Sequence, residues 1–260
     1  MALILLTNDD GIEAEGLRVL ETCLADLAGI VVVAPDRERS AVSHGLTLRV
    51  PLEMRQQAAN RYTLSGTPAD CVIYALHNIL TDLPDLIISG INHGANLADD
   101  IMYSGTVAAA REGSHRGIAS IAVSQAYDES PIRFDKGTKF IRRLVRMMLD
   151  QKLPGGLCLN VNIPVRKVRG VRITRQGCAS HFPHFNSFPW AGENDDPACD
   201  PLEDAQKREI IRDFNAIMDH YISITPLQRD LTDYATADAL RKDSLRLFRR
   251  FRLPRMGLIG

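Results

Sequence analysis

Four short apolar runs carry no polar alternation: Leu3 to Leu6, Ile30 to Ala34, Leu86 to Ser89 and Ile118 to Val123. A strand with one face in water alternates apolar and polar residues, so runs of this kind need cover on both faces. The spacing between them predicts helices over Glu15 to Leu27 and over Pro68 to Leu80, the latter with Thr67 as N-cap, Pro68 at its first position and Asp70 in its first turn. A further helix begins after Ser104 and runs through Ala108, Ala109 and Ala110 toward Gly113, and Lys136 to Leu149 has amphipathic spacing. Strand and helix in turn predict an α/β chain with a doubly wound, mostly parallel, Rossmann-like sheet.

Thr47 to Met54 and Arg61 to Ser65 read as a hairpin inserted into that plan, with Gln56 to Asn60 as its polar turn. After Pro154-Gly155-Gly156 the sequence predicts strands over Leu157 to Ile163 and Gly170 to Thr174, then a polar, Pro-rich and aromatic segment from Cys178 to Pro201. A helix near Gln206 to Met218, a strand at Tyr221 to Thr225 and a basic helix near Asp238 to Phe251 complete the chain. The regular alternation stops in this region, so residues 1–165 are expected to form the Rossmann-like domain and 166–260 a C-terminal extension.

Charge and cysteine content narrow the function classes. Lys plus Arg number 31 against 32 Asp plus Glu, a formal charge of -1, which gives no global drive toward nucleic acid or an anionic membrane but permits a small anionic substrate. The five cysteines are scattered and lack a C-x-x-C spacing, as expected for free thiols in a reducing cytoplasm. The N-terminal run has no basic flank and reads as a first strand, and no stretch is long enough to cross a bilayer.

In open α/β sheets ligands sit beyond the carboxyl ends of the strands, so the residues that follow each apolar run carry the chemistry. After the first run come Asp9 and Asp10; after the second, Ala34-Pro35-Asp36-Arg37-Glu38-Arg39-Ser40; after the third, Ser89-Gly90-Ile91-Asn92-His93-Gly94-Ala95-Asn96. Two adjacent ionised Asp side chains repel and need a positive partner, and an all-oxygen donor set suits a hard cation such as Mg²⁺, Mn²⁺ or Ca²⁺. Two Asp anions and one dication sum to zero, so a phosphate could approach without repulsion. It would meet Ser104-Gly105-Thr106 at the start of the alanine-rich helix, where backbone N–H groups and the dipole favour anions. Metal and anion cradle together imply phosphoryl chemistry.

Thr7-Asn8-Asp9-Asp10-Gly11, Ala34 to Ser40, Ser65-Gly66-Thr67-Pro68-Ala69-Asp70-Cys71, Ser89 to Asn96 and Tyr103-Ser104-Gly105-Thr106-Val107 occur in that order, and together they resemble the SurE (survival protein E) family of metal-dependent nucleotidases. The likeness continues through Leu159 to Pro164 and Tyr221 to Leu227. It implies metal ligation by Asp9, Asp10, Ser40 and Asn92, one Mg²⁺ or Mn²⁺ per subunit, and a phosphate site lined by Asn96, Ser104, Gly105 and Thr106. It also implies hydrolysis of nucleoside 5′- and 3′-monophosphates and a homodimer or homotetramer that exchanges its C-terminal extension. The chain departs from the family pattern at Arg212-Asp213 and His220, where a Thr-Asp pair and a Gly are usual, and between Ala179 and Pro201.

A metal-activated water attacking phosphorus in line, with Asp9 or Asp10 orienting it, is the favoured route; an aspartyl-phosphate intermediate is its competitor. His44 and His93 lie in the relevant loops without an assigned proton-transfer role. Plainer readings stand beside these: Ser40 and Ser104 as helix caps, Asn92 as a left-handed turn residue, and Asp36 to Arg39 as a loop ion-pair network. The aromatic tract His181 to Trp190 suits loop packing better than base stacking. The C-terminal Arg241, Lys242, Arg246, Arg249, Arg250, Arg252 and Arg255 suit a solvated face or subunit contact better than polyphosphate or RNA. Gly11-Ile12-Glu13-Ala14-Glu15-Gly16 lacks the G-x-G-x-x-G of dinucleotide enzymes, which leaves a nucleotide-binding sensor or scaffold as the alternative to an enzyme.

Overall fold

The computed structural model describes residues 2–128, 132–151, 154–177 and 210–248, which fall in two compact units, Met1–Leu227 and Gln228–Gly260. In the first unit the strands are β1 (Leu3–Thr7), β2 (Gly29–Pro35), β3 (Met54–Ala58), β4 (Arg61–Leu64), β5 (Leu86–His93), β6 (Ser120–Gln125), β7 (Cys158–Ile163), β8 (Gly170–Ile173) and β9 (Tyr221–Leu227). They form one nine-stranded sheet in the order β3-β4-β2-β1-β5-β6-β7-β9-β8. The interior β4-β2-β1-β5-β6-β7 is parallel; β3 runs antiparallel to β4 and β9 antiparallel to β7.

The helices of this unit are α1 (Glu15–Leu24), α2 (Pro68–Tyr74, continued by a π turn over Ala75–Ile79), α3 (Gly105–His115), α4 (Thr138–Asp150) and α5 (Asp213–Met218). Successive strand residues point to opposite faces, and both faces are covered. Ile4 and Leu6 pack with Leu17, Leu20 and Leu24 of α1 and Ile141, Leu144 and Val145 of α4. Leu5, between them, packs on the other face with Cys71 and Val72 of α2 and Ala109 of α3. This two-sided burial is why the apolar runs lack alternation.

The chain leaves β1 for β2 on one side and returns to β5 on the other, so the winding reverses between β1 and β5. Ligand sites in such sheets lie at that crevice.

Several boundaries differ from expectation, three of them with a clear setting. The hairpin begins at Met54, not Thr47, and its turn is Ala59-Asn60, with Asn60 at φ +58°. Residues 47–53 stay out of the strand because side chains claim their backbone: Asp70 accepts from Thr47 N–H at 3.2 Å, and Ser65 Oγ accepts from Glu53 N–H at 2.9 Å. The helix expected from Lys136 begins as a 3₁₀ turn, Phe134–Gly137, before α4. The last expected strand extends to Leu227 and is an interior member of the sheet: Ile222 and Ile224 are buried, and Thr174 Oγ1 bonds Ser223 Oγ and Thr225 Oγ1 at 2.8 Å each.

Two of the three departures from the family pattern fall on described residues, while Ala179 to Pro201 lies outside them; in the Arg212-Asp213 pair the acid that the pattern shares is the structural member. Asp213 is fully buried, and its carboxylate accepts from Ala98 N–H and Gly177 N–H at 2.9 Å and from Phe214 N–H at 2.8 Å. His220 sits at φ +65°, the left-handed region that a glycine enters without steric cost.

The second unit contains α6 (Tyr234–Phe248), whose start is capped by Asp233 Oδ1 accepting from Thr236 N–H at 3.0 Å. The aromatic tract His181 to Trp190, residues 206–209 of the expected helix, and Arg249, Arg250, Arg252 and Arg255 lie outside the described residues. Cys23, Cys71 and Cys158 are free thiols; Cys178 and Cys199 lie outside the described residues. Among the described residues no helix is long and apolar enough to cross a membrane.

Helix α2 opens as the sequence predicts, with a reciprocal capping box between Thr67 and Asp70. The Thr67 hydroxyl accepts from Asp70 N–H at 3.1 Å and donates to Gly45 O at 2.8 Å. Thr67→Ala removes both bonds, and urea unfolding should show a loss of about 1–2 kcal/mol.

Candidate metal and phosphate site

The first turn after β1 is built by Asn8 and Gly11. Asn8 Nδ2 donates to Gly11 O at 2.8 Å, and Gly11 holds φ +95° where a Cβ would stand 3.1 Å from the backbone carbonyl carbon of Arg37. Only glycine fits that conformation and that approach. The turn delivers Asp9, 5 % exposed, toward the helix α3 side and Asp10 toward the β5 side.

Asp9 is fixed by the N-terminus of α3. Thr106 N–H donates to Asp9 Oδ2 at 3.1 Å, and the Thr106 hydroxyl donates to Asp9 Oδ1. A Cβ on Gly105 would stand 2.9 Å from Asp9 Cβ, 3.0 Å from Asp9 Oδ2 and 3.1 Å from Pro68 Cγ, so the carboxylate and the helix meet through a gap that glycine leaves. A carboxylate at this position gains from the helix dipole. Burial outweighs that gain, and with Asp10 adjacent it pushes Asp9 up to about 6. Asp10 is also raised, chiefly by burial, although His93 N–H donates to its Oδ2 at 3.1 Å.

The other expected ligands arrive on the two loops that flank β1. Arg39 N–H donates to Asp9 O at 2.7 Å, and the Arg39 guanidinium donates to Ser65 O at 2.5 Å and faces Asp36 at 3.6 Å. Ser40, next in the chain, is exposed and donates to Glu38 Oε1 at 2.6 Å. No helix follows Ser40, so it is not an N-cap. Asn92 is half-buried toward the end of β5, where the pairing with β6 shifts register between Ser89 and Asn92; its Nδ2 donates to Gly94 O at 2.9 Å, which leaves Oδ1 as the acceptor end of the amide. Two carboxylates, a hydroxyl and an amide oxygen are hard donors of the kind that suits Mg²⁺, Mn²⁺ or Ca²⁺. One buried and one half-buried carboxylate, both with raised pKa values, are what a dication would relieve.

The phosphate-side residues divide. Ser104 is the N-cap of α3, its Oγ accepting from Val107 N–H at 3.1 Å, so the plainer reading as a cap holds for this residue. Thr106 and Gly105 touch Asp9 directly, a relation that spacing alone does not reveal. Asn96 is buried apart from that helix start, its Nδ2 donating to Ser124 Oγ at 2.7 Å and its backbone oxygen accepting from Asn160 and Asn162. The roles of Arg39 and Thr106 as anchors were not foreseen; the one signal was their position next to Ser40 and Gly105. His93 meets the Tyr127 ring at a tilt, with centroids 4.8 Å apart and planes 59° from parallel, and His44 turns away to Glu112.

Comparison with known proteins gives a consistent picture. The family model described as Survival protein SurE matches residues 4–182. The chain is similar to a protein of Vibrio cholerae named 5'-nucleotidase SurE, 45% identical over 241 residues and covering 88% of this chain and 92% of that one. A protein of the same name from Pelobacter propionicus is 43% identical, covering 90% and 96%. The crystal structure of the SurE protein from Aquifex aeolicus superposes with a TM-score of 0.77 at 37% identity, covering 94% of this chain and 99% of that chain.

Two outcomes test the geometry. Gly105→Ala should keep the far-ultraviolet circular dichroism of the parent while calorimetry shows Mn²⁺ affinity reduced by about tenfold or more. The second concerns Asp9 in the metal-free protein. Its folded pKa of about 6 exceeds the ordinary 3.8, so its contribution to stability is full below that ordinary value and is lost as pH rises toward 6. Thermal unfolding in chelator should show parent stability falling, relative to Asp9→Asn, by on the order of 2–3 kcal/mol between acid and neutral pH. A difference that stays flat would refute the buried, ionised Asp9.

Proposed function

The chain belongs to the survival protein SurE family, and we propose that it is a metal-dependent phosphomonoesterase that hydrolyses nucleoside 5′- and 3′-monophosphates to nucleoside and phosphate. The observation that carries this reading is the meeting of Asp9, the N-terminus of α3 and Asp10 at the reversal point of the sheet. Asp9, Asp10, Ser40 and Asn92 would hold one Mg²⁺ or Mn²⁺ per subunit.

When bound, a dication at these residues would supply an acidified water and offset charge on the phosphoryl oxygens. The chain supplies position. Asp9, held by two bonds from Thr106, has one orientation, and Asp10 is held by His93 N–H, so one carboxylate of the pair can orient a water without either swinging free. Ser104, Gly105 and Thr106 put the positive end of α3 where negative charge builds on the phosphoryl group. Thr106 N–H is used by Asp9 and Val107 N–H by Ser104, so the helix acts on substrate mainly through its dipole and through Gly105 N–H. The Ser104 hydroxyl, which accepts from Val107 N–H, and Asn96, whose Nδ2 carries a second hydrogen beyond the Ser124 bond, are further donors on that side. Residues 166–260 form the part used for oligomerisation in this reading, as a homodimer or homotetramer.

Phosphate release from a panel of nucleoside monophosphates, with Mg²⁺, Mn²⁺ or chelator, tests the proposal. Asp9→Asn and Asn92→Ala should each lose turnover by about a hundredfold or more while remaining folded. Tight nucleotide binding with no phosphate released by the parent would favour a sensor instead; full turnover in Asp9→Asn would overturn the site.

A further inference from the structure

Glu112 and His115 stand three residues apart in the last turn of α3, so both side chains leave the helix on one face. His44, from the loop that follows Ser40, meets them there. Its Nε2 lies 3.0 Å from Glu112 Oε2, and its ring stacks on that of His115 with centroids 5.6 Å apart and planes 17° from parallel. One nitrogen or oxygen from each of the three lies within 4.8 Å of the other two. The reading of the Asp9 site uses none of these residues.

From this geometry we propose that His44, Glu112 and His115 form a second metal site, specific for a borderline divalent ion of the zinc class. Two imidazoles and one carboxylate are the donors that zinc, cobalt and nickel prefer, whereas the all-oxygen set at Asp9 and Asp10 prefers magnesium or manganese. The two sites therefore select their ions by donor type and do not compete. Ligand atoms around a tetrahedral zinc stand about 3.3 Å apart, so side-chain rotation closes the present spacing without moving the helix. Three protein ligands leave a fourth position for solvent.

The surroundings fit a ligand set. Glu112 is 9 % exposed at its side chain, and His44 and Arg116 hold its carboxyl down at about 2, so the anion is present at any working pH. Its second oxygen, Oε1, accepts from Arg116 Nε at 3.0 Å, which fixes the carboxylate with Oε2 toward the histidines. The Glu-x-x-His spacing on one helix is a recurring way to present two ligands to one ion.

An ion here would pin the loop carrying Ser40 to the far end of the helix whose near end holds Asp9. Ser43 already ties that loop to α3's approach, its N–H donating to Tyr103 O at 2.9 Å and its hydroxyl to Met102 O at 2.7 Å. The second ion would thus position a ligand of the first site without touching substrate.

The test uses the full chain without a histidine tag, kept in excess Mg²⁺. Zn²⁺ is titrated by calorimetry, bound metal is counted after dialysis, and Co²⁺ is added in parallel to read the visible absorption of a nitrogen-ligated, four-coordinate ion. The parent and Asp9→Asn should each retain one zinc and give the cobalt spectrum. His44→Asn and His115→Asn should bind zinc about tenfold or more weakly and lose the spectrum, with thermal unfolding in chelator reporting that both are folded. Should one of these variants fail to fold, Glu112→Gln replaces it. The proposal is overturned if the parent keeps no zinc in magnesium, or if the histidine variants keep it as the parent does.

Discussion

The contact between Asp9 and the first turn of α3 is the constraint on which the site depends. The carboxylate takes two donors from Thr106, and it can do so only because residue 105 has no side chain to hold the helix off. The end of β1 and the start of α3 are thereby locked at one spacing. The same contact buries Asp9 beside a second carboxylate, which is why its proton is held to about 6. A site that holds two acids in this way is costly when empty and has most to gain from a cation.

Around that fixed pair the loops are tied by backbone more than by side chains. Arg39 N–H on Asp9 O sets where Ser40 begins, and His93 N–H on Asp10 sets where Asn92 ends. Farther along the first loop, Gly45 O accepts from Thr67, and Thr47 N–H is taken by Asp70. Asp70 therefore serves a helix start and a functional loop at once, and the capping box of α2 becomes part of the support for the site. Main-chain bonds tolerate change in the side chains they pass, which suits a loop whose neighbours at positions 41–44 face different tasks.

Much of this was legible in the sequence, for physical reasons that particular residues show. Leu5 and its neighbours required cover on two faces, and that fixed the class of sheet. Thr67-Pro68-x-Asp70 announced the start of α2 because capping is a local interaction, complete within four residues. The grouping of Asp9 with the loops after β2 and β5 followed from the rule that strand ends converge. What spacing could not carry was any relation set by distant partners. Thr106 turned out to hold Asp9, a residue 97 positions away. Thr47 to Glu53 read as a strand but gave their backbone groups to Asp70 and Ser65. His44, Glu112 and His115 are unremarkable apart and meet only through the fold.

The placement of β9 has a consequence for how the molecule is made. It lies between β7 and β8, although 57 residues separate the end of β7 from its start. Until that late segment leaves the ribosome, the parallel core ends at β7 with its backbone groups unpaired, a sticky margin while synthesis proceeds. Prematurely terminated chains would share that open margin, so quality control has a ready mark by which to tell an unfinished product from a finished one.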